Sequence, residues 1–272
     1  MEKLIMLGTG NALVTRCYNT CFAIQDDDEY FLVDAGGGNG ILRQLDEEGI
    51  TIDRIHHIFL THEHTDHLLG MIWMIRMIAT RMRKEAYEGD LYIYCHSDLV
   101  DTVRTIANLT LPKKFTWLFD HRILFVPLYD GDTRHILDYD VTFFDIFSTK
   151  AKQYGFTMVL KNGERLTCAG DEPLNEKCFG YAQGSSWLLH EAFCLYSQRE
   201  QYKPYEKHHS TVREACELAE YLEIPNLVLY HTEDDNISRR KALYMAEGRL
   251  YYHGNLFVPD DLETIGFRSE EE

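Results

Sequence analysis

The sequence predicts packed β-sheets with helices on their outer faces. Short β-rich runs separated by turns fill the first third of the chain, further strand-like runs follow, and three helical segments lie among the later ones. Strands and helices do not alternate strictly, which argues against a parallel, doubly wound sheet. No proline-rich linker or break in composition interrupts the chain, so we predict one domain over residues 1–272.

Hydrophobic periodicity and turn residues place the individual elements. A triple glycine at 36–38 and the acidic turn from Asp26 to Glu29 separate the early ones. Thr211 and Glu214 have the spacing of a capping box, which starts a helix. The predicted strands are residues 3–7, 21–24, 30–33, 55–60, 91–94, 123–127, 141–147, 157–160, 166–169, 187–190 and 227–230. The predicted helices are residues 41–48, 98–108, 211–222 and 238–248, with a long apolar segment from Leu68 to Arg83.

Composition narrows the functional classes. The chain carries 27 basic and 44 acidic residues, a net charge of −17, which is poorly suited to a nucleic-acid backbone. No apolar run is long enough for a membrane span. The seven cysteines are scattered without a CxxC pair, and no secretion-signal pattern is evident, so we expect reduced thiols in a cytoplasmic protein.

A histidine-rich loop follows the predicted strand 55–60. His62 and His64 are two residues apart, so in extended backbone both side chains point the same way and can hold one metal ion. Asp66 and His67, at the turn into the next helix, offer an oxygen and a nitrogen to a second ion. Because imidazoles dominate and no thiolate is obviously positioned, zinc is the expected metal, with Mn or Fe as alternatives.

This HxHxDH pattern, with other motifs in order along the chain, resembles the metallo-β-lactamase-fold hydrolases, and among them the ribonuclease Z-like branch. The resemblance covers nearly the whole chain and implies a four-layer αββα sandwich of two mixed sheets between outer helices. The supporting motifs are Leu7-Gly8-Thr9-Gly10, Leu32-Val33-Asp34-Ala35-Gly36, Gly170-Asp171, Leu189-His190-Glu191-Ala192, His209-Ser210-Thr211 and His231-Thr232.

The resemblance also implies the site. Its metal ligands would be His62, His64, Asp66, His67, Asp171 and His231, with Asp171 bridging two ions and Asp34 supporting the loop. A metal-bound hydroxide would attack a phosphodiester, making the chain a metal-dependent hydrolase. Asp66 would orient the nucleophile and His209 would assist the phosphate or the leaving oxygen. We expect Glu191 to pair with His209 and raise its pKa.

One ligand of the family pattern is missing. The family has a further histidine upstream of an aromatic-glycine pair, which here is Tyr154-Gly155, and Phe147 occupies the expected place. The position served by His62 and His64 should therefore bind its ion weakly, whereas the position with Asp66, His67, Asp171 and His231 is complete. Whether one or two ions bind is open at this stage.

The substrate and partners follow from a second departure. Ribonuclease Z enzymes that mature tRNA usually carry a long arm between the aromatic-glycine pair and the bridging aspartate, but here only a hairpin turning at Asn162-Gly163 fits. We therefore expect a small or exposed phosphodiester, with tRNA processing and membrane association disfavoured. The segment from Leu68 to Arg83 is expected to be a core helix, with a homodimer contact as the alternative.

Two other functions stay open on the sequence. The same fold supports ester, lactone or thioester hydrolysis, and only His209-Ser210-Thr211 favours phosphodiester chemistry. The missing histidine also allows a metal-binding or sensing module with impaired catalysis. Turnover of a phosphodiester and of a lactone, with and without added metal, would separate these possibilities.

Overall fold

A computed structural model describes residues 2–267 of the chain. Its strands are β1 Lys3–Gly8, β2 Cys21–Asp26, β3 Glu29–Val33, β4 Ile55–Phe59, β5 Leu91–His96, β6 Ile123–Leu128, β7 Thr133–Ile136, β8 Tyr139–Asp145, β9 Tyr154–Val159, β10 Arg165–Cys168, β11 Trp187–Glu191, β12 Asn226–Tyr230, β13 Asn255–Phe257 and β14 Glu263–Gly266. Its α-helices are α1 Gly40–Glu47, α2 Thr65–Arg83, α3 Ser97–Thr110, α4 Lys113–Thr116, α5 Phe179–Ala182, α6 Arg199–Tyr202, α7 Val212–Tyr221 and α8 Arg240–Gly248.

The strands form two seven-stranded mixed sheets. The first has the order β14-β1-β2-β3-β4-β5-β6 and the second the order β13-β12-β11-β10-β9-β8-β7. Strands β3 to β6 run parallel to one another, as do β10 to β13, whereas the neighbouring pairs are antiparallel. The two sheets and their outer helices make the four-layer αββα metallo-β-lactamase sandwich, which confirms the predicted fold.

Two kinds of hydrophobic core hold these layers together. Between the sheets, aromatic rings interlock; the Phe59 and Phe143 centroids, for example, are 4.7 Å apart. Outside the first sheet, α2 buries Met71, Met74 and Ile78 completely. A corresponding layer of α7 and α8 residues covers the second sheet. Each sheet is therefore apolar on both faces, as a central layer of a sandwich requires.

Local turn chemistry agrees with the sequence at two hairpins. Strands β2 and β3 are joined through Asp27, whose φ of 49° is the left-handed conformation that aspartate tolerates. Strands β9 and β10 are joined by residues 160–164, where Gly163 has φ 84° and donates to the Leu160 carbonyl. The predicted turn at Asn162-Gly163 is confirmed, and no arm lies between these strands.

Some strands differ from those predicted from the sequence. Strands β7, β13 and β14 were not predicted; they are three or four residues long and lie at or next to sheet edges, where apolar alternation is weak. The strand predicted over 141–147 ends at Asp145. Its last predicted residue, Phe147, has φ 58°, a conformation that cannot continue a strand.

Helix α2 confirms the core-helix interpretation of the apolar segment and starts three residues before it, at Thr65. Gly70 lets this helix approach the loop after β3, because a Cβ at this position would lie 1.7 Å from the Ala35 carbonyl oxygen. The Gly70 amide donates to the Gly36 carbonyl at 2.8 Å. Within residues 2–267, no helix is both long and apolar enough to cross a bilayer.

Candidate metal centre

The histidine loop leaves β4 and is fixed by one carboxylate. Asp34, which follows β3 with φ 56°, is buried and accepts from the Thr61 amide and the Thr61 hydroxyl, each at 2.8 Å. Its Oδ2 also lies 2.7 Å from Nδ1 of His67. Asp34 thus ties the start of the loop to the first turn of α2, as the sequence analysis expected from its motif.

Two histidines direct their Nε2 atoms into the centre. The carboxylates around His67 outweigh its burial and hold its pKa well above the usual range, so without a cation its Nε2 carries a hydrogen that a bound ion would displace. His67 donates through Nδ1 to Asp34, and its Nε2 is buried without a hydrogen-bond partner. His231, after β12, has Nδ1 3.2 Å from the Thr20 hydroxyl, and that hydroxyl donates its own hydrogen to the Gly10 carbonyl. Nδ1 of His231 is therefore the donor. An unprotonated, partnerless Nε2 is what a metal ion requires of a histidine.

Asp171 lies between these groups. It follows β10, is buried, and its Oδ2 is 3.5 Å from Nε2 of His67, 3.5 Å from Nε2 of His62 and 3.7 Å from Nε2 of His231. Asp66 Oδ2 is 3.3 Å from Nε2 of His67. Ligand atoms on a tetrahedron with bonds of about 2.1 Å are about 3.4 Å apart. The ligand atoms of Asp66, His67 and His231 lie within 4.8 Å of one another, and so do those of His62, His67 and Asp171, so both groups could hold a metal ion.

The carboxylates also shift toward the charged form that a cation prefers. Burial works to raise the pKa of Asp66, but the neighbouring His67 and His231 outweigh it and hold the pKa below its usual range. Burial likewise opposes a low pKa at Asp171, yet His62, His67 and His231 lower it strongly. Burial lowers the pKa of His231 to about 4, so this ring is neutral at physiological pH.

His62 and His64, the other two predicted metal ligands, contact each other. His62 is fully buried, and its Nε2 lies 2.9 Å from Nδ1 of His64, which is hydrogen-bond distance. Phe147 does not stand at the place of the missing histidine: it is 41% exposed, with the Lys177 ammonium 4.5 Å from its ring centre. Gln153, which was not singled out from the sequence, has its Nε2 2.9 Å from Nδ1 of His62.

His209 and Glu191 come together, but not in the predicted protonation state. His209 Nδ1 is 3.6 Å from Glu191 Oε2, and neither atom has a hydrogen-bond partner. Burial lowers the pKa of His209 to about 3, with His231 adding to the effect, while burial raises the pKa of Glu191. This is opposite to the expected rise in the His209 pKa. Glu191 instead accepts from the Ser210 amide at 2.5 Å and fixes the backbone next to His209.

The centre opens into a cleft of about 710 Å³. His209 lies on its wall with its ring stacked on Phe193 at 4.8 Å between centroids. Lys150 and Lys207 also line the cleft, and the Lys150 ammonium contacts the Lys207 carbonyl at 2.9 Å and the Glu172 carboxylate at 3.5 Å. Neither lysine was predicted from the sequence, although Lys150 lies just upstream of the Tyr154-Gly155 pair.

Comparison with known proteins agrees with this geometry. Ribonuclease Z of Pyrococcus abyssi is 26% identical in a 314-position alignment that covers 100% of this chain and 98% of that protein. Ribonuclease Z of Bacteroides thetaiotaomicron is also 26% identical, covering 89% of this chain and 90% of that protein. The metallo-β-lactamase fold protein YhfI of Bacillus subtilis superposes with a TM-score of 0.78 at 15% identity, covering 97% of this chain and 98% of that one. The short form of human tRNase Z gives 0.72 at 20% identity, covering 98% of this chain and 100% of that one.

The fold and the donor set together define a ribonuclease Z-like, metal-dependent hydrolase of the metallo-β-lactamase superfamily. Within that superfamily, a family model described as anti-Pycsar protein Apyc1 matches residues 2–247. The chain belongs to this family.

Proposed function

We propose that the chain is a phosphodiesterase that acts on a small or exposed phosphodiester with the help of a divalent cation. The observation that carries this proposal is the partnerless, buried Nε2 of His67, which faces Asp66 and Asp171 at the base of an open cleft. The relatives named ribonuclease Z are consistent with phosphodiester chemistry. The family's description further suggests that hydrolysis at this site opposes Pycsar.

Asp66, His67, Asp171 and His231 would hold the ion. With two imidazoles and two carboxylates, this donor set suits zinc, and Mn or Fe are alternatives. A bound ion of this kind lowers the pKa of a coordinated water and offsets negative charge on phosphate oxygens. Asp66 would, in addition, orient the attacking water through its second carboxylate oxygen.

His209 and the two lysines would position the phosphate. Because the pKa of His209 is lowered to about 3, its ring is neutral and can offer one N–H to a phosphate oxygen. Lys150 and Lys207 bring positive charge to a cleft that is otherwise rich in carboxylates, including Glu63, Glu233 and Asp234. Cationic donors at this place favour a phosphate over a neutral ester or lactone.

The short connection between β9 and β10 and the net charge favour a small substrate. Strands β9 and β10 are joined by residues 160–164, so the tRNA-clamping arm has no counterpart there. The chain also carries a charge of −17, which repels a long polyanion. A compact phosphodiester that fits a cleft of about 710 Å³ is the substrate that these features favour.

A substrate comparison tests the proposal. The purified chain, stripped of metal and resupplied with Zn²⁺ or Mn²⁺, should hydrolyse bis-(p-nitrophenyl) phosphate and leave a lactone and a thioester intact. Faster turnover of the lactone or thioester would identify the alternative hydrolase. Turnover of none of them at saturating metal would identify a binding module and contradict the proposal.

A homodimer through α2 is a separate proposal. Leu69 and Trp73 are one helical turn apart on α2 and are 37% and 40% exposed, and Trp117 beside α4 is 77% exposed. Exposed aromatic residues of this kind are enriched at protein interfaces. Light scattering should give a dimer for the chain and a monomer for Trp73→Glu, whereas Tyr221→Glu, an exposed aromatic on α7, should leave the dimer intact. A monomeric starting chain would contradict the proposal.

A further inference from the structure

Gln153 is a buried amide that Asp171 holds in one orientation. The residue is 1% exposed, and its Oε1 accepts from the Asp171 backbone amide at 2.9 Å. Its Nε2 donates to Asp171 Oδ1. Gly170 makes room for this arrangement, since a Cβ there would lie 2.3 Å from Gln153 Oε1. Exchanging the oxygen and nitrogen of the amide would break both contacts, so the orientation is fixed.

The second hydrogen of this amide is directed at a predicted metal ligand. Gln153 Nε2 lies 2.9 Å from Nδ1 of His62, so Nδ1 must accept. A neutral imidazole that accepts at Nδ1 carries its hydrogen on Nε2. Nε2 of His62 is 2.9 Å from Nδ1 of His64 and donates to it. In this arrangement the nitrogen of His62 that would bind a metal is protonated.

Thr61 favours the opposite tautomer. Its hydroxyl lies 2.9 Å from the same Nδ1 of His62, but the hydroxyl hydrogen is donated to Asp34. The Thr61 oxygen can therefore only accept, which requires a hydrogen on Nδ1 and leaves Nε2 free. His67 and His231 have only acceptors at their Nδ1 atoms, Asp34 and Thr20 respectively. Among the three rings nearest Asp171, only His62 faces a competing donor.

We propose that Gln153 is a positioning residue that weakens one of the two predicted metal positions. By donating to Nδ1 of His62, it favours the tautomer that cannot bind a metal and leaves His62 and His64 paired with each other. The position formed by Asp66, His67, Asp171 and His231 is then the stronger one. This inference rests on the proposed function for the presence of a cation. It explains a preference for one ion through the amide that contacts His62.

Two apolar substitutions test the role of the amide. Gln153→Met removes the donor, so Thr61 alone sets the tautomer. Gln153→Leu removes the donor as well, with a shorter, branched apolar side chain. We expect calorimetric titration of the metal-free wild type with Zn²⁺ to show about one tightly bound ion per chain. The second ion should bind at least about tenfold more weakly, because residues that hydrogen-bond to a metal ligand typically change metal affinity by that much. Both variants should tighten the second ion by about tenfold or more.

A variant at another buried glutamine tests whether the change in metal affinity is specific to Gln153. Gln44 is also buried, and its amide donates to the Leu7 carbonyl and the Asp261 carboxylate, neither of which belongs to a predicted metal ligand. Gln44→Met should leave the affinities of both ions unchanged. Two ions bound within about tenfold of each other by the wild type would overturn the proposal. A second-ion affinity within about twofold of wild type in both Gln153 variants would overturn it too.

A spectroscopic measurement on the wild type does not depend on the variants folding. Long-range ¹H–¹⁵N correlations of the metal-free chain should show His62 protonated at Nε2, whereas a hydrogen on Nδ1 would overturn the proposal. Neither this experiment nor the titration involves a substrate. Two equally tight ions with phosphodiester turnover would thus contradict only the role of Gln153, whereas one tight ion without turnover would contradict only the proposed function.

Discussion

The Oδ2 of Asp34 lies 2.7 Å from Nδ1 of His67 and 2.8 Å from the Thr61 hydroxyl oxygen. One carboxylate thereby sets the orientation of a histidine ring and the course of the loop that leads to it. The left-handed backbone at Asp34, with φ 56°, turns the side chain back under the loop. The geometry of the proposed centre therefore depends on a residue that need not touch the ion.

Substituting Asp34 should weaken metal binding without unfolding the chain. In Asp34→Asn the side chain still suits the left-handed backbone but loses one acceptor, so His67 is no longer held with Nε2 facing the centre. We expect Zn²⁺ affinity to fall about 10- to 100-fold in a calorimetric titration. Asp26→Asn removes a buried carboxylate that pairs with Lys161 elsewhere, and it should leave the affinity unchanged. Equal losses in the two variants would contradict the assigned role.

His209 should affect turnover and not metal content. His209→Phe keeps a ring stacked on Phe193 but removes the N–H proposed to reach the phosphate. We expect kcat for a phosphodiester to fall by about 10²- to 10³-fold, the usual cost of losing such a donor, with the metal content by mass spectrometry unchanged. His208→Asn changes the exposed neighbouring residue and should retain activity; full activity of His209→Phe would refute the assignment.

Most of the proposed metal ligands can be predicted from the sequence, because each belongs to a short motif of neighbouring residues. His62, His64, Asp66 and His67 are adjacent in the chain, and the later motifs with Asp171 and His231 directly follow apolar strands. Strands β10 and β12 belong to one parallel set, so the residues that follow them lie at the same edge of the second sheet, and the histidine loop follows β4 of the first sheet.

The errors concern residues whose role depends on packing between distant segments. Nothing adjacent in the sequence distinguishes Gln153 from an exposed glutamine, and its partners His62 and Asp171 become neighbours only in the folded chain. Phe147 was assigned by its distance from Tyr154-Gly155, but the backbone turns at φ 58° and directs its side chain away from the centre. Counting residues cannot detect such a turn.

Arg240 should be important for stability. The side chain is fully buried and donates to the hydroxyls of Thr9 and Thr232, to the Pro259 carbonyl and to Asp260, at distances from 2.8 to 3.0 Å. It therefore ties the segments after β1 and β12 to the loop between β13 and β14. Arg240→Met leaves buried acceptors unpaired and should lower the free energy of unfolding by about 3 kcal/mol in urea denaturation.

The neighbouring arginine provides the control for that measurement. Arg239 is exposed, so Arg239→Met should change the free energy of unfolding by less than about 0.5 kcal/mol. Similar values for the two variants would show that the buried network contributes little.

His57 should make the fold sensitive to acid. The ring stacks against Tyr92 and Tyr94, and burial, with smaller effects from His56 and His135, lowers its pKa from 6.5 to about 4. Between these two values the unfolded chain binds a proton that the folded chain does not, so stability falls as the pH drops from 6.5 toward 4. His57→Phe should reduce this slope in urea denaturation, whereas His121→Phe at an exposed site should not. An unchanged slope in His57→Phe would contradict this explanation.

Anomalous diffraction from crystals grown with Zn²⁺ measures directly whether the distant segments converge on a cation. Data collected on both sides of the zinc absorption edge should show a strong peak within bonding distance, about 2.1 Å, of the side chains of Asp66, His67, Asp171 and His231. The absence of a peak there, or a peak only at other residues, would contradict the metal centre and the hydrolytic function proposed from it.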